Sequence, residues 1–183
     1  MSTRENIIDA AMAIVRDAGV GKLTLDEAAK VAGISKGGVL YHFKGKDDLI
    51  RGMVQRLIEQ CDQINHSYYE TEPEGPYRWA RTLVRACFDP NGPANDPVGG
   101  ALLAALMVNP DLMEPIHAMY GKWHERLNSD SPDITRAGLV CTAMDGLYFQ
   151  RLMGIRPCDP DGALRLKDFA LDLLSPPTQG AAP

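Results

Sequence analysis

The residues whose types and spacing could do chemistry lie between Thr24 and Lys46 of this 183-residue chain. From Lys30 to Lys46 there are four lysines and one histidine but no acidic residue, so this segment is positively charged. Hydroxyl groups at helix N-termini, lysine ammonium groups and glycines that allow close backbone approach together suit a nucleic acid. The residues that we expect to contact a nucleic acid are Thr24, Ser35, Lys36, Gly37, Gly38, Tyr41, His42 and Lys46.

Two short helices must position these residues. Thr24 precedes an alanine-rich stretch, Gly33 predicts a turn, and Ser35 is the N-cap of a second helix that continues to Phe43. Small side chains on the first helix allow the two helices to cross closely, and this spacing is typical of a helix-turn-helix motif over residues 24–43. In such a motif the N-terminal residues of the second helix point toward base edges in the major groove.

The adjacent glycines Gly37 and Gly38 each lower helix propensity by roughly 1 kcal/mol, which a purely structural helix would avoid. Close approach of the helix backbone to DNA explains them. Lys36 beside them is expected to reach a guanine O6/N7 edge or a phosphate. A glycine-tolerant helical corner with a solvated lysine face is the alternative that the residues alone leave open.

The remaining polar groups are expected to bind the sugar-phosphate backbone. The hydroxyls of Thr24 and Ser35 lie at helix N-termini, and Tyr41 and His42 lie one turn further along the second helix. Lys46, at the start of the next helix, adds a phosphate contact.

Apolar residues recur at helical spacing through nearly the whole chain, so the predicted fold class is all-α with about nine helices. We predict a three-helix DNA-binding domain over residues 1–48, a helical ligand-binding and dimerisation domain over 49–174, and a disordered tail over 175–183. Beyond the motif, the predicted helices cover residues 46–65, 76–88, 97–108, 110–128, 132–154 and 160–174.

Charge and composition limit the function further. Residues 1–60 hold nine Lys/Arg against eight Asp/Glu, whereas residues 61–183 hold ten against sixteen, so only the first part suits a polyanion. No apolar run approaches the ~18 residues of a membrane span, and the N-terminus lacks the apolar run of a signal peptide, which predicts a cytoplasmic protein. The four cysteines form no C-x-x-C pair, so we predict buried thiols, no metal and no cofactor.

The predicted helix over 132–154 is apolar around most of its circumference and also carries small residues. Together with the helix over 160–174 it is expected to form an isologous four-helix interface in a homodimer, since a two-fold partner supplies the second reading helix. A central core helix in a monomer is the alternative.

A small-molecule site in the second domain would be lined by large apolar or amphipathic side chains and would suit an apolar or aromatic compound. Ordinary core packing is an equally good interpretation of each such side chain. The candidates are Trp79, Met107, His117, Tyr120, Trp123, Met144 and Tyr148.

Residues 3–52 resemble the N-terminal domain of the TetR family of transcriptional regulators, with matching motifs in register over 23–29, 32–43 and 46–49. The resemblance implies a homodimer that represses transcription until a small ligand binds its C-terminal domain. It also implies the same DNA contacts as proposed above and makes Phe43 a core anchor. Leu40 departs from the family, since many members have a tyrosine there, so a phosphate contact is expected to be missing or moved.

Other function classes fit less well. Glu114-x-x-His117 has the spacing of a helical metal site but lacks the second such pair, and no nucleophile-base grouping or phosphate loop is present, so we predict no enzyme. A redox-sensing regulator that uses Cys61 or Cys141 and an architectural DNA-binding protein without an effector remain as alternatives.

Overall fold

The computed structural model describes residues 2–155 and 159–175, and the predicted all-α fold is confirmed over them, without a strand. None of the helices there is long and apolar enough to cross a bilayer. The nine α-helices of the described residues are α1 (Thr3–Ala18), α2 (Leu25–Ala32), α3 (Lys36–His42), α4 (Lys46–Thr71), α5 (Arg78–Cys87), α6 (Pro97–Val108), α7 (Glu114–Asp130), α8 (Ile134–Leu152) and α9 (Pro160–Leu173).

Several boundaries differ from the prediction. Helix α4 continues six residues past the predicted end at 65, and a 3₁₀ turn over Pro110–Met113 precedes α7. Helix α8 begins at Ile134 rather than at residue 132, because the Asp133 carboxylate accepts a hydrogen bond from the Arg136 amide at 3.0 Å and caps it. The predicted tail beyond Ser175 lies outside the described residues.

The chain divides into two compact units. The first unit comprises Met1–Gln60 and Pro93–Met119, and the second comprises Cys61–Gly92 and Tyr120–Pro183. Helix α6 therefore belongs to the unit that contains the helix-turn-helix segment. The division into domains at residue 48 stays a prediction about which part of the chain folds by itself.

The core of the first unit is built from α1, α3, α4 and α6. Val39 and Phe43 are at most 1% exposed, which confirms Phe43 as a core anchor of α3. Helix α4 approaches this ring closely at Gly52, where a Cβ atom would lie only 2.9 Å from the Phe43 ring. The close contact fixes α3 against α4.

Helix α6 is attached to the helices of the first unit at both ends. At its N-terminus the N-cap Asp96 accepts a hydrogen bond from the Arg16 guanidinium of α1 at 2.7 Å. At its C-terminus the Asn109 amide donates to the Asp47 carboxylate in the first turn of α4 at 3.0 Å. Leu102, between these ends, is buried in the core of the unit.

The core of the second unit is centred on Trp79 of α5, which is 1% exposed and packs with side chains from α7, α8 and α9. The N-terminus of α5 is capped from α7, because the Asp130 carboxylate accepts a hydrogen bond from the Trp79 amide at 2.7 Å. Tyr77, just before it, has a φ of 60°, a left-handed conformation, and its amide donates to the Asp130 carbonyl at 2.9 Å.

Candidate nucleic-acid interface

The turn between α2 and α3 is held by backbone hydrogen bonds. Gly33 has a φ of 69°, which glycine adopts without the steric cost that other residues meet. The Ile34 amide donates to the Ala29 carbonyl at 3.0 Å, and the Asn6 side chain of α1 donates to the Ala32 carbonyl at 2.9 Å. Three helices thereby fix the direction of α3.

Helix α3 has one buried face and one exposed face. Val39 points into the core, whereas Tyr41 is 86% exposed and Leu40 is 44% exposed. Lys36 and Gly37 are exposed on the same side. The residue that departs from the family pattern therefore lies on the outer face of α3 and not in the core.

Both predicted hydroxyl contacts are helix N-caps. The Thr24 hydroxyl oxygen accepts a hydrogen bond from the Glu27 amide at 3.1 Å, and the Ser35 hydroxyl oxygen accepts from the Gly38 amide at 3.1 Å. A cap uses only the acceptor side of a hydroxyl, so each O–H hydrogen remains available for an external acceptor such as a phosphate oxygen. Both residues are exposed.

The two predicted lysine contacts are held by weak interactions at the surface. The Lys36 ammonium lies 2.9 Å from the Asp26 carboxylate, with both side chains more than half exposed. The Lys46 ammonium donates to the Val20 carbonyl at 3.0 Å. An exposed ion pair contributes about 0–1 kcal/mol, so the Lys36 ammonium can be transferred to another anion at small cost.

The glycine pair of α3 is not required by packing within the chain. A Cβ at Gly37 would meet nothing closer than the Ser35 Oγ at 3.8 Å, and a Cβ at Gly38 would lie 3.5 Å from Ile34 and Ser35. These are ordinary van der Waals distances. The reason for two unfavourable residues in a seven-residue helix must therefore lie outside the folded chain.

The sequence did not reveal the partner of Lys36, because Asp26 lies ten residues earlier and on the other helix of the motif. His42 packs its ring edge-on against Tyr41, with 5.0 Å between the ring centroids. All eight predicted contact residues thus lie on α3 or at the ends of α2 and α4.

The candidate ligand residues are divided between the two units. Met107, which is 75% exposed, and His117 belong to the first unit. The second unit brings three of the rings together: Trp123 lies 6.3 Å from Trp79 and 5.6 Å from Tyr120, between ring centroids. Met144 and Tyr148 lie in the same unit, on α8.

The described cysteines are poor redox sensors. Burial raises the pKa of the Cys61 thiol to about 12, that of Cys87 to about 11 and that of Cys141 to about 12. The reactive species is the thiolate, and at neutral pH these groups stay protonated. This observation speaks against the redox-sensing alternative for them, while Cys158 lies outside the described residues. No group of three or more potential metal ligands occurs in the described part of the chain.

Comparisons with known proteins cover both units. Residues 7–53 match the family model described as bacterial regulatory proteins, tetR family, and residues 77–175 match the Tetracyclin repressor-like C-terminal domain. The regulator BetI of Burkholderia thailandensis is 26% identical over 95% of this chain and 94% of its own length. The regulator AcrR of Shigella flexneri is 29% identical over 45% of this chain, which spans only 38% of AcrR.

Solved structures share the fold at low identity. A transcriptional regulator from Pseudomonas aeruginosa PAO1 has a TM-score of 0.73 and 17% identity, with 92% of this chain and 88% of that chain covered. The multidrug binding protein EbrR in complex with ethidium has a TM-score of 0.71 and 21% identity, with 95% and 99% covered. The architecture therefore extends through the whole described chain.

Proposed function

Because the chain belongs to the TetR family of transcriptional regulators, we propose that it binds operator DNA as a homodimer through α3 and leaves it when a small molecule binds the second unit. The observation that carries the DNA-binding part is the exposed face of α3, where Gly37 and Gly38 have room for a side chain but carry none. Backbone approach to base edges in the major groove accounts for that choice.

Exposed apolar residues on α8 support the homodimer. Leu139 is 69% exposed and Met153 is 60% exposed, although both lie on a helix that packs into the core with its other side. Phe169 of α9 is also 60% exposed. A second copy would cover these residues and place two α3 helices on half-sites about 34 Å apart.

Continuous helices would carry the ligand signal. Helix α4 begins beside α3 and continues into the second unit, and α7 also contributes residues to both units. Because α6 is attached to α1 through Arg16 and to α4 through Asp47, we propose that movement of these helices on ligand binding shifts the two α3 helices out of register.

A binding titration tests the proposed function. Purified protein is titrated against the DNA upstream of its own gene and against a scrambled duplex at ~0.15 M salt. We expect a preference of about a thousand-fold for the native duplex. Weak, salt-sensitive binding to every duplex would instead support an architectural protein.

The two lysines are expected to have separable roles. Lys36→Ala should weaken operator binding by roughly 1–3 kcal/mol and relax the preference at one base pair, because a base-edge contact is lost. Lys46→Ala should weaken binding to all duplexes and reduce the salt slope by about 1, because a phosphate contact is lost. Affinities over a set of single-base operator variants at several salt concentrations measure both effects. Lys122→Ala, an exposed lysine of α7, is the matched control, and equal losses on all sequences from both changes would contradict the assignment.

The glycine pair predicts opposite effects on stability and binding. Gly38→Ala should raise the free energy of unfolding by about 0.5–1 kcal/mol, because alanine favours the helix and its methyl group has room. Operator affinity should nevertheless fall by about tenfold, the size of one lost base contact. Gly121→Ala on α7, where a Cβ also has open space, should stabilise similarly without any effect on DNA binding. Retention of full operator affinity by Gly38→Ala would refute the role of the pair.

A further inference from the structure

Asp145 carries a carboxylate in the second unit for which the described residues provide no salt-bridge partner. It is half-buried on α8 and accepts a hydrogen bond from the Tyr120 hydroxyl of α7. Burial raises its pKa above the ordinary value of 3.8, against the opposing effects of Tyr120 and His124. The fold thus keeps a carboxylate in an environment that does not compensate its charge.

The groups around this carboxylate are neutral at physiological pH. Its charge contributes to raising the pKa of Tyr120 and Tyr148, and also that of the Cys87 and Cys141 thiols, so all four lie close to it. Cys141, Asp145 and Tyr148 are four and three residues apart on α8, and therefore share one face of the helix. That face is distinct from the one that exposes Leu139.

Aromatic rings stand beside the carboxylate. The Tyr120 ring lies 5.6 Å from that of Trp123 and 6.3 Å from that of His124, between centroids. A negative charge next to the faces of aromatic rings is the combination that attracts an organic cation. The excess of acidic residues over basic ones in residues 61–183 favours a cation over an anion in this part of the chain.

A second buried polar group also lacks a partner. Asn65 of α4 is 5% exposed, and its side-chain Nδ2 makes no hydrogen bond within the described structure. Asn65 lies one helical turn after Cys61, on the same face of α4, and the Cys61 thiol is close to Tyr120 and Tyr148. An unsatisfied buried amide is unfavourable, and an acceptor atom on a ligand would relieve it.

Building on the proposed ligand-responsive function, we propose that the second unit binds an organic monocation, an amine or quaternary ammonium with an apolar body. Asp145 serves as its counter-ion, Tyr120 and Tyr148 form the wall around the cationic group, and Asn65 donates to an oxygen acceptor where the ligand has one. This narrows the expected effector from apolar or aromatic compounds in general to those with a positive charge.

Calorimetric titration with two pairs of similarly shaped probes tests the charge requirement. Benzyltrimethylammonium is compared with uncharged neopentylbenzene, and tetraphenylphosphonium is compared with the anion tetraphenylborate. We expect at least one cation to bind at least tenfold more tightly than its counterpart. Asp145→Asn should weaken that cation at least tenfold and leave its counterpart unchanged. Failure of both cations to bind, or equal cation affinity of Asp145→Asn and the unchanged protein, overturns the proposal.

A matched variant and a stability measurement exclude a merely structural role. Glu125→Gln, which removes an exposed carboxylate from α7, should bind the cation like the unchanged protein. Asp145→Asn should melt at the same or a higher temperature, because it removes an uncompensated charge while Asn still accepts from Tyr120. A lower melting temperature would assign Asp145 to the structure of the unit and overturn the proposal.

Operator binding separates this inference from the function on which it rests. Asp145→Asn without ligand should retain operator affinity. Asp145-dependent cation binding that leaves the operator complex intact would contradict the proposed release mechanism but support the cation site. Release of DNA by a cation irrespective of Asp145 would support the release mechanism and overturn the site.

Discussion

Replacing Leu139 and Phe149 together with glutamate is expected to convert the protein to a monomer and to lower operator affinity at least a hundred-fold. Both side chains are apolar and exposed on α8, and together with Gly146 and Met153 they follow the 3–4 spacing of one helical stripe. In an isologous interface each substitution occurs twice, so four uncompensated carboxylates would be buried together.

The loss of DNA binding follows from the geometry of two half-sites. A monomer places only one α3 helix in the major groove and loses half of its contacts with the operator. Sedimentation measures the oligomeric state, and the same operator titration measures affinity. Val108→Glu, which adds a charge at an 87% exposed apolar position of α6, should remain dimeric and bind normally. An unchanged protein that sediments as a monomer would contradict the homodimer. So would a double variant that remains dimeric.

The sequence predicted the helices best where a capping side chain stands next to a glycine or proline. Ser2, Ser35 and Asp159 each accept a backbone hydrogen bond from the residue three positions later, as their sequence contexts indicate. Ser131 was wrong as the cap of α8, because Asp133 two residues later also has a carboxylate in reach of the first turn. Two adjacent capping residues cannot be ranked from their types alone.

The candidate DNA-binding surface was predictable because its chemistry lies in one short segment of sequence. The carboxylate of Asp145 was not, since its meaning depends on what surrounds it after folding. A single aspartate in an apolar helix looks like a solvated position until Tyr120 of another helix is found beside it. Sites assembled from α4, α7 and α8 have no local sequence pattern, which is why the ligand residues were predicted only as a set of large side chains.

Glu72 shows the same limit in a part of the chain that the sequence indicated as a loop. Its side chain is buried and lies between two arginines of α5, with 2.7 Å to the Arg81 Nε and 2.6 Å to the Arg85 Nε. Arg81 also donates to the carbonyls of Pro73 and Pro76. The ion pairs therefore fix the connection between α4 and α5, on which the start of α5 and its core residue Trp79 depend.

Glu72→Gln should consequently lower the free energy of unfolding by about 3 kcal/mol, because removing one partner of a buried ion pair leaves the other charges uncompensated. Part of the Arg85 side chain reaches solvent, which places the effect at the lower end of the range for buried pairs. Urea unfolding followed by tryptophan fluorescence measures it, since both tryptophans lie in the second unit. Glu74→Gln is the matched control: its side chain is 93% exposed and 4.0 Å from Arg78, so a change within about 0.5 kcal/mol is expected. A loss below about 1 kcal/mol for Glu72→Gln would mean that the arginines find water instead, and that the connection is held by the carbonyl contacts of Arg81 alone.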